Sequence, residues 1–476
     1  MRTFVLGAGL AGLSCAEALV RAGQEVTVLE KESQVGGMAR SFQVGPYCLD
    51  LGPHRFHTNS ATVQAQLETW LAGDILLRQR LSRILLRDRF FDYPLRPQNV
   101  LNGLPPTLLL RAFADWAVAR TSQRLRPRKH PDFESWVVAH FGRTLYDIFF
   151  GPYTTKAWGM VGTSISADWA RQRIGHRGLW DVLKQALRPP AEGQPRSLTT
   201  EFHYPRRGGI GAISQAASDA IVTNGGVVMT ECPVRTLELE TRSSGPGQRV
   251  SGIRLANGQA IELVPGDQVV NTMALPFVAR ALRPLPPAPV LSAAGKLRHV
   301  AILFIYLEVA CPRVSPDHWI YLPQADLRVH RISEVKNFSD ASAPGPTTAL
   351  CCEITCRRGD ATWRLDLQRA AQLAEADLVR TGLVEPGSTR PLALRRLAEA
   401  YPIYDLEYRE HLDLLRAGLR AVDNLHTTGR QGLFRYNNMD HSIAMGQHIA
   451  QGLLNGAPRQ GAGESAAVAA RETYFG

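Results

Sequence analysis

The sequence predicts an α/β protein with a Rossmann-like cofactor-binding domain, an antiparallel-sheet substrate domain and a helical insertion. Three observations predict it. Gly7-Ala8-Gly9-Leu10-Ala11-Gly12 follows a short apolar run and opens a stretch of helix formers. Residues 298–356 alternate apolar and polar residues in the strand manner, broken by Pro, Asp, Ser and Gly. Between about Val63 and Arg128 the pattern turns helical and rich in arginine. The chain has 476 residues, 45% hydrophobic and 20% charged. That suggests two to four folding units at roughly 100–200 residues each. It excludes a disordered tail, a collagen and a small disulfide scaffold.

The first segment reads strand, turn, helix, strand. Arg2 to Leu6 is the first strand, Gly7 to Gly12 the turn, and Leu13 to Arg21 the helix, which Gly23 ends. Glu25 to Glu30 is the second strand. Gly7 permits the tight turn, Gly9 lets the backbone approach a pyrophosphate, and Gly12 lets helix and strand pack closely. The helix N-terminus offers unpaired N–H groups to phosphates. Glu30, eighteen residues after Gly12, is placed to accept ribose hydroxyls.

Further along, a helical stretch is expected over Phe133 to Phe149 and a loop over Pro189 to Pro195. A helix over Ala212 to Asn224 and a strand pair around Val227 to Leu239 follow, with a hairpin tip at Gly245-Pro246-Gly247. Strands are expected in ILFIYLEV, HWIYLP, VHRISEV and TALCCEITC, then a helix over Leu365 to Thr381 and another from about Ser442 to Leu454.

Lysine plus arginine exceed aspartate plus glutamate by 54 − 43 = +11. This favours an anionic partner. Nucleic acid is disfavoured, because the basic residues are spread and no helix-turn-helix or zinc pattern appears. The seven cysteines are odd in number and fit no metal spacing. They read as small core residues in a reducing compartment. The basic, apolar N-terminus looks like a weak signal peptide, but the glycine spacing explains it better. No other stretch reaches the roughly 18 apolar residues of a membrane span. The expectation is a cytoplasmic protein without a metal site, in which an oligomer remains open.

Gln34-Val35-Gly36-Gly37-Met38-Ala39-Arg40 follows the acidic residue closely. This segment resembles the GG doublet of the large FAD-containing family that includes amine oxidases, protoporphyrinogen oxidase and UDP-galactopyranose mutase. The resemblance implies FAD as cofactor. It places Gly36 and Gly37 against the cofactor and Arg40 near its diphosphate. Val234, after Pro233, matches a backbone contact to adenine, and Gly429-Arg430 matches the C-terminal turn that completes the site. Met439 is carried over as a further cofactor contact. The Rossmann-like FAD-binding domain is then discontinuous, at 1–75, 200–285 and 405–460. The helical domain spans 76–199, the antiparallel-sheet substrate domain 286–404, and a flexible tail 461–476.

Other motifs are similar to those of UDP-galactopyranose mutases. Gly52-Pro53-His54-Arg55-Phe56-His57-Thr58 resembles their histidine loop over the flavin, which makes His54 and His57 candidates for catalysis. Tyr153-Thr154-Thr155-Lys156-Ala157-Trp158 resembles the segment whose tyrosine and tryptophan line the sugar-nucleotide cleft. GRQGLFRYNNMDHS, residues 429–442, resembles their ending: Tyr436 matches a tyrosine on the diphosphate. Asn438 stands where bacterial mutases carry aspartate, while eukaryotic mutases place asparagine nearby. The resemblance implies a redox-neutral exchange of pyranose and furanose rings on a nucleotide sugar, with reduced flavin N5 attacking the anomeric carbon. It also implies a place in cell-surface polysaccharide biosynthesis.

A departing diphosphate calls for arginines. Arg173, or its neighbour Arg171, lies near the family's first diphosphate arginine, Arg298 resembles the second, and Arg331 matches a further RxxE segment. Tyr321 and Tyr401 are candidates for the cleft wall. A second reading is a protoporphyrinogen-oxidase-like oxidoreductase acting on a small or lipophilic substrate. FFDYPLRPQNVL, PRRGGIGAI and ISADWARQRI resemble that group, and the segment between Arg78 and Arg128 suits peripheral membrane association. A third, a flavin-free binding module like Rab escort proteins, is opposed by the intact glycines and Glu30.

Overall fold

The computed structural model describes residues 2–93, 97–126, 128–173, 201–241 and 247–456. The expected loop over 189–195, most of the tip at 245–247 and the tail from 457 lie outside them.

Strand Arg2–Leu6 sits at the centre of a five-stranded parallel sheet. Glu25–Leu29 and then Val227–Met229 lie on one side of it, and Gln268–Asn271 and then Leu425–Thr427 on the other. The central strands are buried on both faces, as parallel sheets are. Helix Leu10–Arg21 covers the sheet and packs on helix Met439–Leu454 from the far end of the chain. The contact between these helices is set by a glycine. A Cβ on Gly446 would lie 2.1 Å from Ser14 Oγ and 2.2 Å from the Ala11 carbonyl oxygen. Ser14 Oγ donates to the Ile443 carbonyl at 2.9 Å across the same contact.

A seven-stranded sheet forms the second layer, antiparallel except where Trp319–Tyr321 runs parallel to Ser82–Leu86. Its long strand His299–Val309 is apolar on both faces. Ala301, Leu303, Ile305 and Leu307 pack with Ala370, Ala374 and Leu378 of helix Leu367–Arg380. Val300, Ile302, Phe304 and Tyr306 form another cluster with Tyr47, Leu49 and Ala400.

Three expectations are corrected. Residues 75–92 are not helical: they form strands Ile75–Gln79, Ser82–Leu86 and Arg89–Asp92. The last two make a hairpin through Arg87 and Asp88, both at positive φ (51° and 59°), the geometry of a two-residue type I′ turn. That turn lacks the usual glycine, so it left no sequence signal. Second, the helix expected over Phe133 to Phe149 stops at Phe141. Gly142, at φ 86°, separates it from a π-helical turn over Tyr146–Phe150. Third, the strands near Val227 to Leu239 do not pair with each other. Val227–Met229 joins the parallel sheet, while Val234–Thr241 pairs with Gln248–Leu255 in a four-stranded sheet. Strand Thr389–Pro402, paired antiparallel with His299–Val309, had not been anticipated. Its LALRRLAEA run has helix-forming residues, and pairing with a buried strand overrides that propensity.

Among the described residues, no helix is long and apolar enough to cross a membrane, and no group of three or more His, Cys, Asp or Glu side chains is arranged to hold a metal. All seven cysteines are free, and all but Cys311 are buried.

Because Gly446 allows no side chain, Gly446→Val forces the first and last helices apart. Overpacking of this kind costs about 1–3 kcal/mol. Thermal unfolding of the variant should begin several degrees lower; an unchanged melting temperature would show that the helices can separate freely.

Candidate active site

A single cavity of ≈ 690 Å³ runs from the glycine turn to the face of the seven-stranded sheet. At its first end, Gly7 takes φ 103°, and a Cβ on Gly12 would lie 2.1 Å from the Gly7 carbonyl oxygen. Gly12 thus packs behind the turn. Gly9 faces open space, with nothing within 4 Å of its Cβ position, and N-caps helix Leu10–Arg21 without a side-chain cap. The helix N-terminus is therefore left to a bound anion. Glu30 is buried. Its carboxylate accepts the Ala8 N–H at 2.8 Å and the Glu32 N–H at 3.0 Å, and each oxygen keeps a lone pair for a ribose hydroxyl.

The GG doublet folds over this turn. The Gly36 N–H donates to the Ala8 carbonyl at 2.7 Å, and Gly36 and Gly37 take φ 113° and 58°. Arg40 lines the cavity and pairs with Glu32 at 3.4 Å. Val234, Gly429, Arg430 and Met439 line the same space. The cofactor residues expected from the sequence, Gly12 apart, therefore surround one volume. The open Gly9, the uncapped helix end and the buried acid fit an adenine dinucleotide.

The other end is lined by His54, Arg55, His57, Trp319, Tyr321, Arg331, Tyr401, Arg430, Tyr436 and Asn438. Arg331 lies opposite Glu353 across paired strands and donates to it twice, at 2.5 and 2.7 Å. Burial opposes its charge, yet the fully buried Glu353 holds the guanidinium protonated well above the ordinary arginine range. The Arg430 guanidinium stands 4.7 Å from the Tyr436 ring and 5.6 Å from the Tyr401 ring. It also donates to the Asn437 carbonyl and reaches Met38 Sδ at 3.7 Å. Tyr401 and Tyr436 touch each other, with centroids 5.3 Å apart. His54 Nδ1 lies 3.1 Å from the Gly52 carbonyl oxygen. That oxygen can only accept, so Nδ1 carries the proton and Nε2 is an acceptor. Burial, with the charges of Arg430 and Arg331 adding to it, lowers His54 to about 4.

Several expected residues are placed elsewhere. Tyr153 sits one layer behind the wall, edge-on to Tyr321 at 5.4 Å and stacked on Phe149 at 6.1 Å. Trp158 backs Tyr401 at 5.7 Å and packs on Trp169 at 4.3 Å. Arg298 does not line the cavity: its half-exposed side chain pairs with Asp405 at 3.1 Å. Arg171 pairs with Asp168 at 3.0 Å and donates to the His130 carbonyl. Arg173 ends helix Ala167–Arg173, and its side chain lies outside the described residues. Asn438, by contrast, is on the cavity wall as expected and also N-caps helix Met439–Leu454, with its own N–H donating to His441 Nδ1 at 3.3 Å. The sequence reading missed Arg55, Trp319 and Glu399 on the wall. Arg55 was within view, between the two loop histidines.

The family model of flavin containing amine oxidoreductases matches residues 10–352. The chain belongs to this family. FAD is accordingly its cofactor, and the dinucleotide site described above fits it. A Klebsiella pneumoniae protein named Probable UDP-galactopyranose mutase is 25% identical over 172 residues, 34% of this chain and 42% of the relative. An L-amino-acid oxidase of Crotalus adamanteus is 40% identical over 115 residues, 21% of this chain and 22% of the relative. The match thus spans less than half the length of these relatives. A crystal structure of reduced UDP-galactopyranose mutase superposes with a TM-score of 0.81 at 19% identity, covering 100% of this chain and 99% of that one. At that identity the likeness shows the fold.

Two outcomes follow from this geometry. Glu30→Ala removes a charged acceptor from the dinucleotide end, an interaction of about 1.5–3 kcal/mol. Bound flavin should dissociate about tenfold to a hundredfold more readily, as read by absorbance after gel filtration; undiminished retention would remove Glu30 from the site. The second concerns pH. Burial is the leading cause that lowers His54, His299, His318 and His426 each to about 4 from the ordinary 6.5. The unfolded chain therefore takes up protons at higher pH than the folded one. Their contribution is complete above pH 6.5 and is lost as pH falls from 6.5 towards 4. Asp50, raised to about 6 by burial, and Glu334, also raised by burial, act in the opposite sense but are two groups against these four. The melting temperature should fall steadily across that window; a flat profile would contradict the assignment.

Proposed function

We propose that this flavoenzyme is a nucleotide-sugar pyranose–furanose mutase that works with reduced FAD, similar to UDP-galactopyranose mutase. One observation carries the reading: the aromatic face of the chamber already holds a cation of the protein's own. Aromatic faces recognise ammonium groups. Here Tyr401 and Tyr436 are in contact, which leaves no slot between them, and Arg430 stands over both rings. An amine substrate would meet a guanidinium there. An anionic substrate would meet a donor.

Bound in its reduced form, FAD would supply a nucleophilic nitrogen for the anomeric carbon, with no net oxidant consumed. The chain's own residues would do the rest. Arg430 stands over both phenol rings and has donors left beyond those directed at Asn437 and Met38. It would steady the diphosphate as that group leaves and returns. Tyr436 and Tyr401 would place hydroxyls beside the sugar. The charge of Arg331 is answered by Glu353, so its part is to fix the wall beside Tyr321. His54, neutral, would offer Nε2 as an acceptor for a sugar hydroxyl. Asn438, unlike a carboxylate, adds no negative charge to this end.

A second reading, an FAD-dependent oxidoreductase, is favoured by a specific observation. Arg298, expected at the diphosphate, pairs with Asp405 away from the cavity, while an acidic residue, Glu399, is on the cavity wall.

The decisive experiment offers UDP-galactopyranose and other nucleotide sugars to the dithionite-reduced protein and resolves the products by chromatography. A furanose isomer should form without lasting change in the flavin spectrum. Arg430→Leu should slow it about 10²–10³-fold, the scale of losing one donor to a developing charge. Arg298→Ala should leave the rate near that of the unaltered protein. Bleaching of oxidised flavin by a substrate, with oxygen uptake and no isomer, would establish the oxidoreductase instead.

A further inference from the structure

Helix Pro106–Leu125 is twenty residues long and has two apolar faces. Its inner face is accounted for: Ala112 and Trp116 are buried, and Leu108 and Leu109 pack against the core that contains Phe91 and Leu104. The outer face is not. Leu110, Phe113, Val118 and Leu125 are 71%, 65%, 69% and 77% exposed, and Leu101 of the preceding helix is 61% exposed. At about 100° per residue Leu110, Val118 and Leu125 fall on the side opposite Ala112 and Trp116, while Phe113 lies at the edge of the stripe, its ring centroid 5.6 Å from that of Trp116. Arg111 and Arg120 flank the stripe on its two edges, and Arg124, Arg126, Arg128 and Lys129 continue it at the C-terminal end. Residues 97–131 hold these six basic residues against one acid, Asp115. That acid is partly buried and engaged by the neighbouring segment, where it accepts the Thr144 N–H at 3.0 Å.

We infer that this face is a docking surface for the interface of an anionic lipid bilayer, on which the protein sits peripherally. Two physical features select this occupant. An apolar stripe bordered by arginines suits a boundary with acyl chains below and anionic headgroups beside it, since arginine stems can lie along the apolar surface while their heads reach the phosphates. A second copy of the chain is opposed by charge. A two-fold interface sets a patch against itself, and here that would bring two sets of six cations together. Nucleic acid would meet the arginines but leave Leu110, Phe113 and Val118 without an apolar partner. The helix lies on the bilayer and does not span it, as its buried inner face and its charges require.

The test uses the full-length, FAD-loaded protein and sedimentation with vesicles. It should bind vesicles of equimolar phosphatidylcholine and phosphatidylglycerol at least tenfold more tightly than vesicles of phosphatidylcholine alone, and added salt should weaken that binding. The triple variant Leu110→Ser/Phe113→Ser/Val118→Ser should lose at least tenfold in affinity while keeping its flavin absorbance and melting temperature, because the three side chains are exposed. Arg120→Ala/Arg124→Ala should weaken binding to the anionic vesicles only. No binding to either vesicle, or equal binding to both, would overturn the inference. So would a dimer in light scattering that the serine variant abolishes, because the face would then be an interface between copies.

Discussion

The architecture depends on a steric constraint at the glycine turn. Gly12 must have no side chain because the Gly7 carbonyl lies in its place, and Gly446 must have none because Ser14 and Ala11 do. Gly429 is held in the same way, since a Cβ there would lie 2.7 Å from Ala11 Cβ. Three segments, two of them more than four hundred residues from the first, thus close on the helix that faces the cofactor diphosphate. The dinucleotide end of the cavity exists only when both ends of the chain have come together. The parallel sheet has the same dependence, since the strand after Gln268–Asn271 is Leu425–Thr427.

The cavity's two ends are built on different principles. The dinucleotide end is backbone: open N–H groups, positive-φ glycines and one buried carboxylate. The substrate end is side chain: phenols, imidazoles and guanidinium groups carried by the seven-stranded sheet and the C-terminal loop. Its charge is less positive than a count of arginines suggests, because Glu353 answers Arg331. Arg430 is set apart by its surroundings, two aromatic rings, a thioether and a carbonyl, none of which carries a formal charge.

What was legible in the sequence follows this division. The turn at Gly7 to Gly12, the doublet at Gly36-Gly37 and the turn at Gly429 could be read because each backbone shape demands glycine, so shape and residue correspond. Strand His299–Val309 could be read because its ILFIYLEV run is dominated by apolar residues, many of them β-branched or aromatic. Strand Thr389–Pro402 could not, because its residues favour a helix and its partner lies some ninety residues upstream. The hairpin at Arg87-Asp88 escaped because ordinary residues occupy its positive-φ positions. Side-chain direction was least legible. Arg298 leads into the right strand, yet Asp405 draws it away from the cavity. Tyr153 and Trp158 lie in the right region but one layer too deep, where they support Tyr321 and Tyr401.

The central claim is that the chamber at the flavin end receives an anion beside Arg430 and the two phenols. Titrating the FAD-loaded protein with UDP, with uridine and with a simple primary amine, while following the flavin absorption spectrum, tests it most directly. The account predicts a saturable change with UDP that weakens as salt is added, and little response to uridine or to the amine. A spectrum that ignores UDP and responds to the amine would contradict it.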